Sequence, residues 1–244
     1  MKIKDKLKDN ISGLAIALSV IVLWFTNLFF LLTQDQLKIY IIIPGILLQT
    51  FLYTGLFITA HDAMHGRVFT GNRKFNNLIG TLAVKLYAFF SYQRLLSKHW
   101  KHHKHPASPK DPDFHNGQYR GFNRWYLRFM SNYLTWWQIL AMAIAFNILR
   151  YIFHISVENL ILFWIIPSLA STIQLFYFGT YLPHRPLEED YPDEHRARSN
   201  DFSVFWSFLT CYHFGYHWEH HEYPHIAWWQ LPKVRKAHLA INKT

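Results

Sequence analysis

Long uncharged apolar runs alternate with strongly charged segments along this chain. Residues 11–33, which include "LAIALSVIVLWFTNLFFLL", carry no charge, and neither do residues 39–60, "IYIIIPGILLQTFLYTGLFITA". Residues 134–155 hold one charged side chain, Arg150, near their end, and residues 160–182 hold none. A helix needs about 20 apolar residues to cross the hydrocarbon core of a bilayer, so each run predicts a transmembrane helix. A soluble fold would have to bury all four, and too little polar sequence remains to cover them. The expected fold is an all-α integral membrane protein, a single domain over residues 1–244. Four transmembrane helices carry a helical cap made of residues 61–133 and 183–244.

Weaker patterns fill in the cap. Residues 76–96, "NNLIGTLAVKLYAFFSYQRLL", are apolar but interrupted by Lys85 and Arg94, which predicts an interfacial or re-entrant helix. A shorter apolar piece, "DFSVFWSFLTCY", lies at residues 201–212. The first run follows a basic segment, "MKIKDKLKDN", but is too long for a signal peptide and lacks a small-residue cleavage site, so it reads as a retained helix.

Composition changes the picture in two places. The mean hydropathy of −0.02 resembles that of a soluble protein, yet it averages over a chain whose apolar residues, 51% of the total, are segregated from its charges. If both termini are cytoplasmic, 23 of the 25 Lys and Arg fall on one side of the membrane. That bias orients the protein in an inner, cytoplasmic membrane. It accounts for the net charge of +10 through topology and anionic lipid headgroups, without nucleic acid. Cys211 is the one cysteine, which excludes an internal disulfide and a thiolate metal site.

The 16 histidines carry the chemistry. "HDAMH" supplies His61 and His65 where the second helix leaves the bilayer. "HWKHH" supplies His99, His102 and His103, and "HWEHH" supplies His217, His220 and His221. On a helix, residues i and i+3 or i+4 share a face, so each motif aims its rings at a common point. Eight converging imidazoles exceed the four that saturate a tetrahedral zinc site and imply two metal ions, each with a position left open. Imidazole suits Zn, Cu, Fe and Ni, and ligand type alone does not choose among them. The carboxylates beside the motifs, Asp62, Glu219 and Glu222, are expected to orient the histidines rather than bind metal. His115, His154, His195 and His238 are expected to be solvated or hydrogen-bonded bystanders, and His105 and His225, each beside a proline, loop residues. A metal transporter would need ligands partway across the bilayer. The predicted spans are nearly free of such groups, which argues against transport.

The three motifs together resemble the histidine boxes of the membrane fatty-acid desaturase and hydroxylase superfamily. The wording between them is similar to bacterial β-carotene ketolases: "TGLFITAHDAMHG", "KHWKHHKHP", "DPDF", "QLFYFGTYLPH", "CYHFGYHWEHHEYP" and "WWQLP", from about Gln49 to about Pro232. The resemblance implies four membrane helices holding two irons on the cytosolic side, O2 as co-substrate, and a carotenoid taken from the bilayer. Its eight box histidines would ligate iron. His184, in "YLPH" after the fourth helix, occupies the place of an additional ligand. His213, four residues before the third box, is a tenth ligand or a hydrogen-bond partner of one. Asp111 and Asp113 in "DPDF" match the family wording, and a surface turn is the default reading of an Asp-Pro-Asp stretch. The implied reaction inserts a keto group at C4 of a β-ionone ring, giving echinenone and canthaxanthin. A carotenoid 3-hydroxylase or an acyl-lipid desaturase would use the same boxes. No Gly-rich phosphate loop marks a flavin or nicotinamide site, so electrons come from outside, with ferredoxin the expected donor. "FLYTGLF", "WYLRF", "LTWW" and "QLFYF" are candidate walls for the substrate.

Overall fold

A computed structural model describes residues 3–34, 36, 38–115, 117, 120–185, 191 and 193–241, with side chains from Asp9 onward. Part of the basic N-terminal segment, part of the connection before Ile39, residues 186–190 and the last three residues lie outside the described residues. Every regular element described is helical.

Among the described residues, three helices are long and apolar enough to cross a membrane. The first, α1 (Ile3–Leu32), contains the apolar span Asp9–Leu32. The second, α2, is Ile39–Met64, and the other long one, α7, is Val157–His184. Each buries one stripe and leaves large apolar residues uncovered: Leu23, Phe25 and Phe29 on α1, Leu47 and Leu48 on α2, Leu169 and Ile173 on α7. Such surface is unfavourable in water and suits lipid.

The 134–155 run departs from expectation. Its helix, α6, is Trp136–Tyr151, 16 residues or about 24 Å long. A capping box between Thr135 and Gln138 starts it, and the left-handed backbone at His154 (φ 56°) stops the chain from continuing into α7. His154 therefore lies in a turn, not inside a span.

Residues 76–96 are likewise two helices, not one. The first, α3 (Arg73–Ala88), ends at left-handed Phe89 (φ 55°), and Ser91 caps α4 (Tyr92–Lys104) by accepting from the Arg94 N–H. The second histidine box thus has a helix of its own. The remaining elements are α5 (Phe122–Tyr133), α8 (Val204–Cys211), α9 (His217–Glu222) and α10 (Leu231–Ile241).

At the centre α2 packs on α1, α3 and α7. Polar side chains inside this bundle find one another: Asn27 donates to Gln49 (2.8 Å), Thr54 donates to Gln174 (2.6 Å), and Tyr87 donates to Ser171 (3.1 Å). Cross-helix bonds of this kind fix register where hydrophobicity cannot, because lipid is as apolar as the partner helix.

Helix α7 widens to π geometry twice, at Leu160–Ile165 and Tyr177–Tyr181. Each stretch contains the residue four before a proline, Phe163 before Pro167 and Gly179 before Pro183. A proline ring clashes with that carbonyl in a regular α-helix, and the wider turn relieves the clash. The second widening lies one turn before His184.

Candidate metal centre

The last turn of α2 carries His61 and its C-cap is His65, α4 carries His99, His102 and His103, the end of α7 carries His184, and α9 carries His217, His220 and His221. The fold gathers all nine into two neighbouring clusters. His61, His65, His99, His103 and His220 form one; His102, His184, His217 and His221 form the other. Within each cluster the ligating atoms lie within 4.8 Å of one another.

The boxes are divided, not kept whole. In both "HxxHH" boxes the i and i+4 histidines enter one cluster and the i+3 histidine enters the other. On a helix the i and i+4 side chains are about 40° apart in azimuth, whereas i+3 and i+4 differ by about 100°. Two adjacent histidines therefore straddle two sites. His103 and His221 lie along the seam, their rings stacked at 4.4 Å.

The donor set fits a pair of cations. Nε2 of His99 is 2.6 Å from Nε2 of His65, and the pairs His103–His220, His102–His221 and His217–His221 meet at 3.1 Å. Both ring nitrogens of His61, Nε2 of His184 and Nδ1 of His217 are buried without a hydrogen-bond partner. Neutral imidazole nitrogens crowded together, several of them without a hydrogen-bond partner, form a donor set that suits a metal ion.

Burial lowers the pKa of His65, His99, His217, His220 and His221 far below the imidazole range, and neighbouring histidines lower it further. His103 falls to about 2 by the same causes. These rings are neutral, the form that ligates.

His102 differs. Burial opposes its charge, but the carboxylate of Asp111, accepting from Nδ1 at 3.0 Å, and Asp113 raise it to about 9. The bond leaves Nε2 facing the cluster. His184 is set likewise, its Nδ1 donating to the Arg196 carbonyl at 2.8 Å.

Asp111 is thus not a surface turn. It is buried, accepts from the Ala107 N–H (2.9 Å), and is held below the usual carboxylate range by His102 against the opposing effect of burial. Burial and the Asp111 charge raise Asp113 to about 6, and the Tyr133 hydroxyl donates to it. Asp62 lies 3.6 Å from His61 and accepts from the Trp228 N–H (3.2 Å).

The other two carboxylates depart from expectation. Glu219, between the histidines of α9, points away from them and accepts from Ser199, Arg235 (3.0 Å) and His238 (3.1 Å), tying α9 to α10. Glu222 pairs with His195 at 2.8 Å. His213 joins neither cluster. Its ring lies parallel to Tyr216 at 5.7 Å, and burial lowers its pKa to about 4. It and Tyr212 are consecutive left-handed residues (φ 59° and 49°) that reverse the chain from α8 into α9. Among the bystanders, His115 is buried and accepts from the Gly117 N–H at 2.9 Å.

An apolar cavity opens onto both clusters, through His61 and His99 of one and His102 and His217 of the other. Its walls include Phe57, Phe90, Phe129 and Phe214, with Asp113 and Tyr133 beside His102. "FLYTGLF", "WYLRF" and "QLFYF" supply Phe57, Phe129 and Leu175 to this wall, whereas the two tryptophans of "LTWW" are exposed on α6. Phe214 packs on His61 (4.7 Å) and His217 (5.1 Å) and fits only because residue 179 is glycine. A Cβ there would stand 2.5 Å from its ring. Gly179→Val is expected to destabilise the protein by about 1–3 kcal/mol through overpacking, read as a lower melting temperature in detergent. An unchanged melt would mean that Phe214 is free to move.

Comparison with known proteins places this geometry. The fatty acid desaturase family model matches residues 37–137 and 130–243.

The chain belongs to the fatty acid desaturase family.

Within this desaturase family several similar curated proteins are ketolases, and a dihydrorhizobitoxine desaturase of Bradyrhizobium elkanii is 25% identical over 76% of this chain and 64% of its own. A zeaxanthin 4-ketolase of Chlamydomonas reinhardtii is 41% identical over 94% of this chain and 54% of its own. A β-carotene 4-ketolase 3 of Haematococcus lacustris is 45% identical over 76% of this chain and 59% of its own. A β-carotene ketolase of Paracoccus sp. (strain PC1) is 46% identical over 77% and 76%, respectively. The chain spans somewhat over half the length of these algal relatives.

Proposed function

We propose that the protein is a membrane oxygenase that converts C4 of a β-ionone ring to a ketone, acting on β-carotene to give echinenone and canthaxanthin. The observation that carries this reading is the aromatic cavity whose floor is formed by histidines of both clusters. A flat, apolar polyene end fits such walls, and the site suits a substrate that never leaves the bilayer. The names of the similar ketolases support the same substrate class.

His61, His65, His99, His103 and His220 would hold one iron, and His102, His184, His217 and His221 the other. Iron bound there supplies the activation of O2 that oxidation of a C–H bond requires. The chain's own residues do the rest. Asp111 and the Arg196 carbonyl hold His102 and His184 in the ligating tautomer. Phe57, Phe129 and Phe214 exclude water and present the ring edge. C4 is allylic, so its C–H bond is weaker than others on the ring. Each hydroxylation consumes one O2, two electrons and two protons and releases one water. A second hydroxylation at the same carbon gives a geminal diol, which loses water to leave the ketone.

The topology follows from the same reading. The histidine-bearing ends of α2 and α7 face the cytosol from the inner membrane, α6 with its flanking residues makes a fourth crossing, and a ferredoxin supplies electrons. Expression in cells that accumulate β-carotene is expected to shift the pigment to orange-red ketocarotenoids, identified by chromatography and mass. Zeaxanthin alone would make the protein a 3-hydroxylase. New fatty-acid double bonds with unchanged pigment would make it a desaturase.

A further inference from the structure

We propose that the exposed ring of Trp100, in a basic collar of Lys101 and Lys104 beside it on α4 and Arg67 and Arg73 near His65, is where an acidic one-electron carrier protein docks to deliver electrons to the five-histidine cluster. The inference rests on the oxygenase reading above, whose reaction consumes two electrons per O2 and whose chain has no nucleotide-cofactor motif of its own.

The two clusters differ in access. All four members of the His102 cluster are buried, whereas His65, His99 and His103 of the other are only half-buried. Trp100 covers that accessible side. It is 36% exposed, and its ring centre lies 5.2 Å from that of His65, 5.7 Å from His103 and 6.0 Å from His99. An electron arriving at the outer edge of this indole is one ring away from three of the five imidazoles. Electron transfer rates fall steeply with distance, so this indole offers a short way in from solution.

The surroundings of the ring are basic. Lys101 and Lys104 are exposed on α4 beside it. Arg73 is exposed, donates to the Met64 carbonyl (3.0 Å) and, with Arg67, acts electrostatically on His65. Among the described residues, the ion pair recorded on this collar is Arg67 with Asp9, at 3.8 Å. A net positive rim steers an acidic partner and speeds its association, and a large amphipathic ring at its centre is the usual anchor of a docking patch. Anionic lipid headgroups would account for the charge. They would not account for an indole set at its centre against three imidazoles of a metal cluster. Each carrier molecule gives up one electron and leaves oxidised. Two electrons and two protons reduce one O2, one oxygen atom entering the C–H bond and the other leaving as water.

The test uses the full chain in nanodiscs of neutral lipid, with an acidic plant-type [2Fe–2S] ferredoxin as the probe. Binding by surface plasmon resonance is expected to weaken with salt and to weaken about tenfold or more in Lys101→Glu/Lys104→Glu. In stopped-flow, ferredoxin is expected to reduce the iron of that variant more slowly by a similar factor, while dithionite at high salt reduces both proteins alike. Trp100→Leu, compared at equal iron content, is expected to slow reduction by ferredoxin without slowing reduction by dithionite. Equal ferredoxin binding by wild type and double variant would overturn the proposal. So would a patch that binds anionic vesicles and not ferredoxin. Pigment analysis is a separate readout: ketocarotenoid formed by a protein whose ferredoxin binding ignores the collar overturns the docking site and leaves the oxygenase reading standing.

Discussion

His102→Ala is expected to empty the buried cluster of iron and to reduce ketocarotenoid formation more than a hundredfold. His102 is the one residue of α4 that reaches this cluster, with its Nε2 3.1 Å from that of His221 and its ring 4.8 Å from that of His184. Removing it takes one of four donors. It also strands Asp111, a buried carboxylate whose charge His102 stabilises, and an unpaired buried charge is strongly destabilising. Asp111→Asn keeps the ligand and weakens its orientation, so a smaller loss is expected, about ten- to a hundredfold in metal affinity or activity. His213→Ala tests the opposite boundary, and its iron content is expected to match wild type because the ring joins neither cluster. Iron per chain, measured on purified protein, separates the three. Full iron and normal ketolation in His102→Ala would refute the ligand assignment, and iron loss in His213→Ala would add that residue to the set.

The metal-free protein is expected to be most stable in a window near about pH 7, to lose stability steeply below about pH 6.5 and to lose it gradually as pH rises toward 9. Six imidazoles outside the membrane spans, those of His65, His99, His103, His217, His220 and His221, have folded pKa values lowered below the unfolded value of about 6.5. Below that pH the unfolded chain binds protons that the folded chain refuses. Stability therefore falls as pH falls, by up to about 1.4 kcal/mol per pH unit for each ring. Since whole domains are stable by only about 5–15 kcal/mol, acid is expected to unfold the metal-free form within one or two units below pH 6.5. His102 has the opposite sign. Its pKa is raised to about 9, so the stability it adds is complete below about 6.5 and is lost as pH rises through 9. Bound metal requires neutral rings and binds only the folded form, so loading is expected to raise the melting temperature across the window. Thermal melts of metal-free protein in detergent from pH 5 to pH 10 check this. A metal-free melt at pH 5 equal to that at pH 7.5 would show that the clustered rings are not neutral and buried.

The sequence by itself determined the all-helical, membrane-compatible character, because runs of uncharged apolar residues are local and need no partner to be read. It also singled out the eight box histidines that the fold brings together, since i, i+3 and i+4 spacing fixes a shared helix face before any packing occurs, whereas His184 was marked only by the resemblance. It could not divide the boxes. That His102 leaves its neighbour His103 for the other cluster depends on how α4 is rotated against α2, α7 and α9, which is a matter of packing. The apolar pattern likewise ran through Phe89 and through residues 152–155, because hydropathy does not register a left-handed residue or a cap. Carboxylates were the least legible. Glu219 has the sequence position of an orienting residue and anchors α10 instead, while Asp111, nine residues after His102 in what reads as a surface turn, supplies the orientation. A short polar side chain takes its role from whatever the fold brings against it, and only the tertiary structure brings His102 to Asp111 and Arg235 to Glu219.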